Sequence, residues 1–586
     1  MLRTHTCGEL RASHIGTGAV LCGWVNRRRD HGGLIFIDLR DRYGTTQIVV
    51  APGGDAFLAA EAARPEWVLK IEGKVRRRLE GAERAENPTG EIEVEVASLV
   101  VLSESKTPPF EIDQDIGINE ELRLEFRYLD IRRERMKRNV MLRHRLLQAV
   151  RKFFYDRDFI EVETPILIKG TPEGAREYLV PSRLHGGRFY VLPQSPQQLK
   201  QLCMIAGLDR YMQIARCFRD EDQRGDRQPE FTQVDIEMSF VHAEDVMKLT
   251  EEALIALTVG LRRDIKIHSV PFPRMTYDEA MNAYGSDKPD LRYGLTFTDM
   301  TDMARGCGFG VFAKAAEAGG VVKCLRVPGG AALSRKEIDD LTGHAKIHGA
   351  KGLAWIKKNG RKFDGVPVEK LGGDATAKMA NAAGTEDGDL LFFAADEFYT
   401  ACVSLGAVRT EIARRRSLAP SDVFAYCWIT DFPMFEKDKD TGEISAVHHP
   451  FTRPNVASME MVDRDPLKAK AEAYDVALNG FEIAGGSLRI HEHDLQKKIF
   501  EILRIDDAEA ERRFGHMLRA FRYGAPPHGG IAWGFDRLAM IFCGEPNIRE
   551  VIAFPKDQKA RDLMLGAPSS VPEKQLRELG ISIVEE

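Results

Sequence analysis

Two short stretches about 300 residues apart constrain the fold more than any other feature of this chain. The first is Cys217-Phe218-Arg219-Asp220-Glu221 followed by Arg227-Gln228-Pro229-Glu230-Phe231. The second is Gly529-Gly530-Ile531-Ala532-Trp533-Gly534-Phe535-Asp536-Arg537. Each sets an arginine beside glycine, apolar or aromatic residues. That combination suits a flat adenine held between Phe231 and a guanidinium while a second guanidinium meets a phosphate. Either half alone says little, so the fold expected is one that joins them into an ATP site and carries the intervening chain elsewhere.

A chain of 586 residues needs several cores. At 43% hydrophobic and 29% charged it has enough apolar material to fill them. Residues 1–105 predict five short strands: Val20–Val25, Leu34–Leu39, Thr46–Val50, Val68–Val75 and Ile92–Val96. The last alternates apolar and acidic residues, as a half-buried strand does. Five such strands fit an OB-fold that binds single-stranded nucleic acid, with any other small β-barrel as the alternative. Thr107-Pro108-Pro109-Phe110 breaks regular structure, and residues 106–138 read as a hinge with a charge-dense helical connector from Glu120. From Arg143 the apolar residues Leu146, Leu147, Val150, Phe153 and Phe154 share a helix face that leads to Phe159–Pro165. Residues 139–284 and 426–586 are expected to form the two parts of one catalytic domain. Residues 285–425, rich in Gly, Ala and Lys, read as an inserted α/β domain between them. The fold class expected is therefore multidomain α+β.

The formal net charge of −6 leaves nucleic-acid contact to local clusters such as Arg27-Arg28-Arg29 and Arg76-Arg77-Arg78. The nine cysteines form neither a Cys-x-x-Cys pair nor a zinc-spaced cluster, which speaks for reduced thiols. No apolar run approaches the ~20 residues that span a bilayer, so the cytoplasm is the expected location.

Arg219, after an aromatic on a predicted strand, can neutralise an α-phosphate during in-line attack by a carboxylate; a structural salt bridge to Asp220 or Glu221 is the alternative. Glu221 and Gln228 would line the nucleotide, and Phe231 would stack on adenine. Asp475 and Glu482 bracket a short segment that can turn two carboxylates toward one cavity, an arrangement suited to Mg²⁺ bridging phosphates. Gly485-Gly486 beside them would let backbone approach a ligand. Arg489 and Lys200 can together hold an acidic side chain and leave a charge unpaired when its amide is bound instead, which points to aspartate. Glu173, Gln197 and Asp235 are candidate partners for its α-ammonium, and His448 or His449 for a further hydrogen bond.

With these residues in place, the chain resembles the class II aminoacyl-tRNA synthetases over nearly its whole length, and among them the bacterial aspartyl group. Phe159–Pro165 looks like motif 1, Phe218–Phe231 like motif 2 and Gly534-Phe535-Asp536-Arg537 like motif 3. Thr171–Arg176 and Gln194–Lys200 look like the family's amino-acid-binding loop and strand. The resemblance implies an antiparallel catalytic sheet with flanking helices, an anticodon-reading OB-fold, a homodimer and an amidotransferase-subunit-like insert. It implies catalysis by Arg219, Glu482 and Arg537, and ATP contacts from Arg219, Asp220, Glu221, Gln228, Phe231, Glu482, Gly534, Phe535, Asp536 and Arg537. The implied reaction makes aspartyl-adenylate from L-aspartate and ATP, then passes the aspartyl group to tRNA(Asp).

On the barrel, the same resemblance implies that Phe36 stacks on an anticodon base, with Arg29, Gln47 and Glu93 beside it. His31 and Gly81 stand where members that charge only tRNA(Asp) tend to carry leucine and lysine, so charging of tRNA(Asn) as well is expected. A strictly tRNA(Asp)-specific enzyme stays open. So do a tRNA-independent aspartate ligase, which would not need residues 1–105, and a non-catalytic RNA-binding paralogue, which would have lost Arg219, Glu482 or Arg537.

Overall fold

The computed structural model describes residues 1–114, 116–170, 174–438 and 441–584. The chain forms two compact units, Met1–Met141 with Ile552–Ser569, and Leu142–Val551 with Ser570–Glu586.

In the first unit, strands β1 (Gly18–His31), β2 (Leu34–Arg40), β3 (Thr45–Val50), β4 (Val68–Arg77) and β5 (Ile92–Ser103) close into a barrel in the order β1-β2-β3-β5-β4. Alternate residues point inward because side chains change face at every step along a strand. Leu21, Val25, Ile35, Ile37, Leu39, Ile48, Val50, Leu69, Ile71, Val75, Ile92 and Val94 are each no more than 2% exposed. Burying each such side chain stabilises the barrel by about 1.5–3 kcal/mol. At the bulge between β4 and β5, a Cβ on Gly73 would sit 2.2 Å from the Glu95 carbonyl oxygen, so only glycine fits. Phe36 stays on the outer face, paired in register with Arg29 on β1 and Val49 on β3.

The charged connector is not merely a solvated face. Helices Glu120–Glu125 and Arg127–Asp130 bury Asp130 completely, beneath Arg123, Arg127 and Arg133. Arg127 also donates to the carbonyls of Ile552 and Ala553, which ties the returning C-terminal segment to this unit.

The second unit is built on an eight-stranded sheet. Its order is Arg274–Thr276, Tyr426–Thr430, Ala473–Leu478, Phe481–Leu488, His528–Gly534, Glu230–Ser239, Arg210–Phe218 and Ile160–Glu161. The pairings are antiparallel except at the two edges. On the strand Glu230–Ser239, Val234 and Ile236 are fully buried in apolar packing, while Gln233 and Asp235 line a cavity on the other face. The helix Glu134–Tyr155 brings Phe154 to 5.6 Å from Trp533 of the sheet.

In sequence, between the strands Arg274–Thr276 and Tyr426–Thr430, lies a separate antiparallel sheet in the order Phe297–Asp299, Val321–Val327, Leu390–Asp396, Ala354–Asn359 and Lys362–Asp364. Helices Arg335–Ile347 and Phe398–Arg415 pack on one face and Gly310–Glu317 with Gly373–Ala382 on the other, each pair over its own apolar core. The insert expected from the sequence therefore has a core on both sides of its sheet.

Candidate active site

The sheet's open face carries two cavities, of about 900 and 250 Å³. Arg219, Glu221, Gln233, Glu482 and Ala532 line both, which makes them two ends of one site.

The larger end has a charged floor. Asp235 and Glu237 lie two residues apart on one strand face and are fully buried. Lys200, from the helix Gln197–Ile205, sets its Nζ 2.6 Å from Asp235 Oδ1 and 3.2 Å from Glu237 Oε2. Arg489 donates from Nε and Nη2 to Glu237 at 3.0 and 3.2 Å, and from Nη1 to Ser487 Oγ at 2.6 Å. Its Nη1 also lies 2.8 Å from His449 Nε2. Burial works to raise the Glu237 carboxyl, but Arg489 and then Lys200 outweigh it and hold its pKa below the usual range. Burial first, and then Arg489, push His449 well below an ordinary histidine, so it is the neutral partner of this pair. The other oxygen of Asp235, Oδ2, is buried without a hydrogen-bond partner. Gln197 and His448 also line this cavity. Glu173 falls outside the described residues.

Where the two ends meet, Asp475 and Glu482 come from adjacent strands of a bulged hairpin. Asp475 Oδ1 is buried and unpartnered. Burial, then Glu482, raise its pKa well above the carboxylate range. Two carboxylates held together with an open lone pair fit a divalent cation of the Mg²⁺ type, which prefers one or two protein carboxylates with phosphate oxygens. The neighbouring glycines line the larger cavity, as expected, and have a second purpose. A Cβ on Gly485 would lie 2.8 Å from Asp475 Oδ1 and one on Gly486 would lie 2.3 Å from the Gly530 carbonyl oxygen. They make room for neighbouring protein atoms.

At the smaller end, the Arg219 guanidinium lies over Phe231, 5.0 Å from the ring centroid. Glu221, Gln228, Gly534 and Arg537 complete the wall. Arg537 is held by Asp226 at 3.1 Å and by the Glu482 carbonyl, which fixes its plane. The two distant sequence motifs thus meet as expected.

Two of the expected nucleotide contacts, Asp220 and Phe535, line neither cavity, and a third, Asp536, is engaged by protein. Asp220 is exposed and bridges backbone to Arg176, away from both cavities. Phe535 is fully buried beneath the Arg143 guanidinium, 4.8 Å from its ring centroid. Asp536 reaches the wall of the smaller cavity, but its carboxylate pairs with Arg143 at 2.6 Å and accepts from the Thr232 N–H at 2.7 Å. These residues anchor the start of helix Phe535–Cys543 and so aim Arg537.

On the barrel, Phe36 is half-buried and His31 stands edge-on to it, ring centroids 6.4 Å apart. Arg29 is held at 2.9 Å by Asp38 and at 3.1 Å by Oε1 of the Gln47 side chain, and Gln47 Nε2 donates to Glu93 at 2.7 Å. Gln47 and Glu93 are buried, so they set Arg29 in place; direct base contact by these two, as expected from the sequence, meets no exposed atoms to speak of. Gly81 lies in an exposed turn with φ +82°.

The sequence reading missed Glu237, Asp226 and Arg143. Glu237 had a signal, an acid two residues after Asp235, alternating with the apolar Val234, Ile236 and Met238 on the same strand. Asp226 and Arg143 had none, because their partners lie roughly 300 to 400 residues away.

A family model described as tRNA synthetases class II (D, K and N) matches residues 119–558, and one for the OB-fold nucleic acid binding domain matches residues 19–102. The chain is 54% identical to the aspartate–tRNA(Asp/Asn) ligase of Rubrobacter xylanophilus, across 99% of this chain and 97% of that protein. It is 52% identical to the aspartate–tRNA(Asp/Asn) ligase of Oleidesulfovibrio alaskensis, across 100% and 96%. Among solved structures, asparaginyl-tRNA synthetase from Pyrococcus horikoshii complexed with asparaginyl-adenylate shares the fold, with a TM-score of 0.59 and 22% identity over 95% of this chain and 98% of that one. The asparaginyl-tRNA synthetase of Entamoeba histolytica does so with a TM-score of 0.58 and 18% identity over 94% and 97%. Two cavities joined across motifs this far apart, an OB-fold barrel and full-length relatives at this identity leave one assignment: the chain belongs to the class II tRNA synthetases of the D, K and N group.

Proposed function

We propose that this enzyme activates L-aspartate with ATP and charges both tRNA(Asp) and tRNA(Asn). The observation that carries the substrate is the buried floor of Lys200, Asp235, Glu237 and Arg489. Two cations balance two carboxylates there, Arg489 Nη1 faces Ser487 and a neutral His449, and Asp235 Oδ2 has an open lone pair. An ammonium finds an acceptor at Asp235, and an acidic side chain finds two charged donors in Arg489 and Lys200, which hold a carboxylate more strongly than a neutral amide.

In the first step, an α-carboxylate oxygen of aspartate attacks the α-phosphorus of ATP and pyrophosphate leaves. Arg219 offsets the charge that builds on the α-phosphate, Phe231 and Arg537 enclose the adenine, and Glu221 and Gln228 flank it. Asp475 and Glu482 would hold Mg²⁺, which supplies charge neutralisation to the phosphates. In the second step, a hydroxyl of the terminal adenosine attacks the aspartyl carbonyl carbon and AMP leaves. Positioning and charge carry both steps, without a covalent enzyme intermediate.

Breadth toward tRNA(Asn) is supported by His31 beside Phe36, by Gly81, and by the names of the two bacterial relatives. Residues Ile160, Ile166, Leu167 and Phe189, each at least 46% exposed, lie in and beyond the motif 1 segment and support a homodimer. Among the described residues no helix is long and apolar enough to cross a membrane, in keeping with a cytoplasmic place beside its tRNA.

The test is aspartylation of purified tRNA(Asp) and tRNA(Asn) side by side, with asparagine as a control amino acid. Charging of both with aspartate alone is the expected result. Charging of tRNA(Asp) only would overturn the breadth, and charging of neither would overturn the assignment to aspartate.

A further inference from the structure

Part of the lining of the larger cavity is aromatic and leads away from His448, the candidate aspartate contact. His448 and Phe432 stand with ring centroids 4.8 Å apart, and Phe432 and Tyr277 follow at 5.5 Å. Tyr399 is the next ring along this wall, close enough to influence the Tyr277 hydroxyl, which burial above all pushes up to about 12. Tyr399 differs from the others in two respects. It is 59% exposed, and it belongs to the inserted domain, as the second residue of the helix Phe398–Arg415. That helix packs on Tyr277–Tyr284, which places Tyr399 at the mouth of the cavity together with Asp287, also from the insert. Lys437, exposed, stands on the same rim.

An exposed aromatic ring at a mouth, continuous with a site whose second reaction needs a nucleic-acid end, has one substrate left to meet. Aspartate is held by the buried charges and adenine by Phe231, so the remaining occupant is the single-stranded 3′ end of the tRNA. Aromatic side chains with a nearby cation are the usual means of holding unpaired bases irrespective of sequence, since every base has a face to stack.

We propose that Tyr399 is the stacking platform for the unpaired 3′ nucleotides of the tRNA, so that the inserted domain completes the acceptor side of the active site. The inference rests on the aminoacyl-transfer reading above. It makes Tyr399 a residue of the second step, and Tyr277 and Phe432 the supports that set its height over the adenylate.

The experiment compares Tyr399→Ala, Tyr399→Leu and Tyr399→Phe in two assays, aspartate-dependent ATP–pyrophosphate exchange and charging. Charging is measured on whole tRNA(Asp) and on an acceptor-stem fragment without the anticodon. The ratio of charging kcat/KM to exchange is expected to fall about tenfold to a hundredfold for Ala and Leu, on both RNAs, and to hold within about twofold for Phe. Leucine matters because it keeps an apolar cover without a stacking face. An unchanged ratio for Ala, recovery by Leu, or an effect confined to whole tRNA would each overturn the proposal. Absence of aspartate-dependent exchange in the unsubstituted enzyme would instead overturn the reading on which it rests.

Discussion

Lys200 Nζ lies 2.6 Å from Oδ1 of Asp235 and 3.2 Å from Oε2 of Glu237, with all three side chains closed to solvent. Desolvating such a group costs as much as its attraction returns, so it is weak evidence for a stabilising role and good evidence for a preorganised site. Removing one partner is a different matter. Lys200→Met is expected to leave two buried carboxylates facing Arg489 alone and to destabilise the protein by about 3–5 kcal/mol. Chemical denaturation measures this. Aspartate-dependent exchange should fall with it, and a variant that keeps both its midpoint and its KM for aspartate would refute the assignment.

Asp475 yields the opposite sign. Burial and Glu482 raise its folded pKa above the ordinary 3.8, so its favourable contribution is complete below that value and is lost as pH rises through the folded one. At neutral pH, without metal, the carboxylate therefore opposes folding. Asp475→Asn is expected to raise the melting temperature measured in EDTA while exchange falls on the order of 100-fold. Added Mg²⁺ should stabilise the parent and not the variant. Equal Mg²⁺ stabilisation of both would remove Asp475 from the metal site.

What the sequence conveyed and what it withheld follow the range of each interaction. The barrel strands were legible because short apolar runs such as Leu34–Leu39, and the alternation along Ile92–Val96, are local properties of the sequence. The union of Arg219 with Arg537 was legible because each half carries its own chemistry. The anchoring of Phe535 and Asp536 was not, since it comes from Arg143, about 390 residues earlier, and from the Thr232 N–H. Likewise the second purpose of Gly485 is visible only when Asp475 Oδ1 stands 2.8 Å from the place of its missing Cβ. The connector's helices were legible but its buried ion cluster was not, because Asp130 under three arginines has the composition of a solvated helix.

His449 gives a pH dependence. Its folded pKa is depressed below the ordinary 6.5 by burial and by Arg489, so the stability tied to its neutral form is present above 6.5 and is lost as pH falls beneath it. Denaturation midpoints measured from pH 7.5 to 5 should decline, and His449→Gln, which keeps an acceptor for Arg489 Nη1, should flatten that decline. A slope identical to the parent's would place the titrating group elsewhere.

His31 and Gly81 predict a change in breadth. His31→Leu removes a side chain that packs edge-on against Phe36 and offers ring nitrogens to a base. Charging of tRNA(Asn) should drop about tenfold relative to tRNA(Asp), the loss of roughly one hydrogen bond. Gly81→Lys is a harder substitution than its exposure suggests, because φ is +82° there and a lysine must shift the turn or accept strain. The pair should therefore be tested separately, and an unchanged tRNA ratio in both would end their claim on specificity.

Phe36 separates recognition at the barrel from chemistry at the sheet. Its ring is on the outer face, in register with Arg29, and Arg29 is fixed from below by Asp38 and Gln47. Losing the stacking surface in Phe36→Ala should weaken charging of whole tRNA by about 1–3 kcal/mol. Charging of an acceptor-stem fragment should not change, because that RNA has no anticodon to stack. Gln47→Ala should reproduce part of the loss without touching a base, since it removes one of the two groups that hold Arg29 and strands Glu93 beside Arg76. The comparison is decisive in one direction: if Gln47→Ala costs more than Phe36→Ala, the held guanidinium and not the ring dominates recognition, and the order of importance drawn from the barrel's outer face must be reversed.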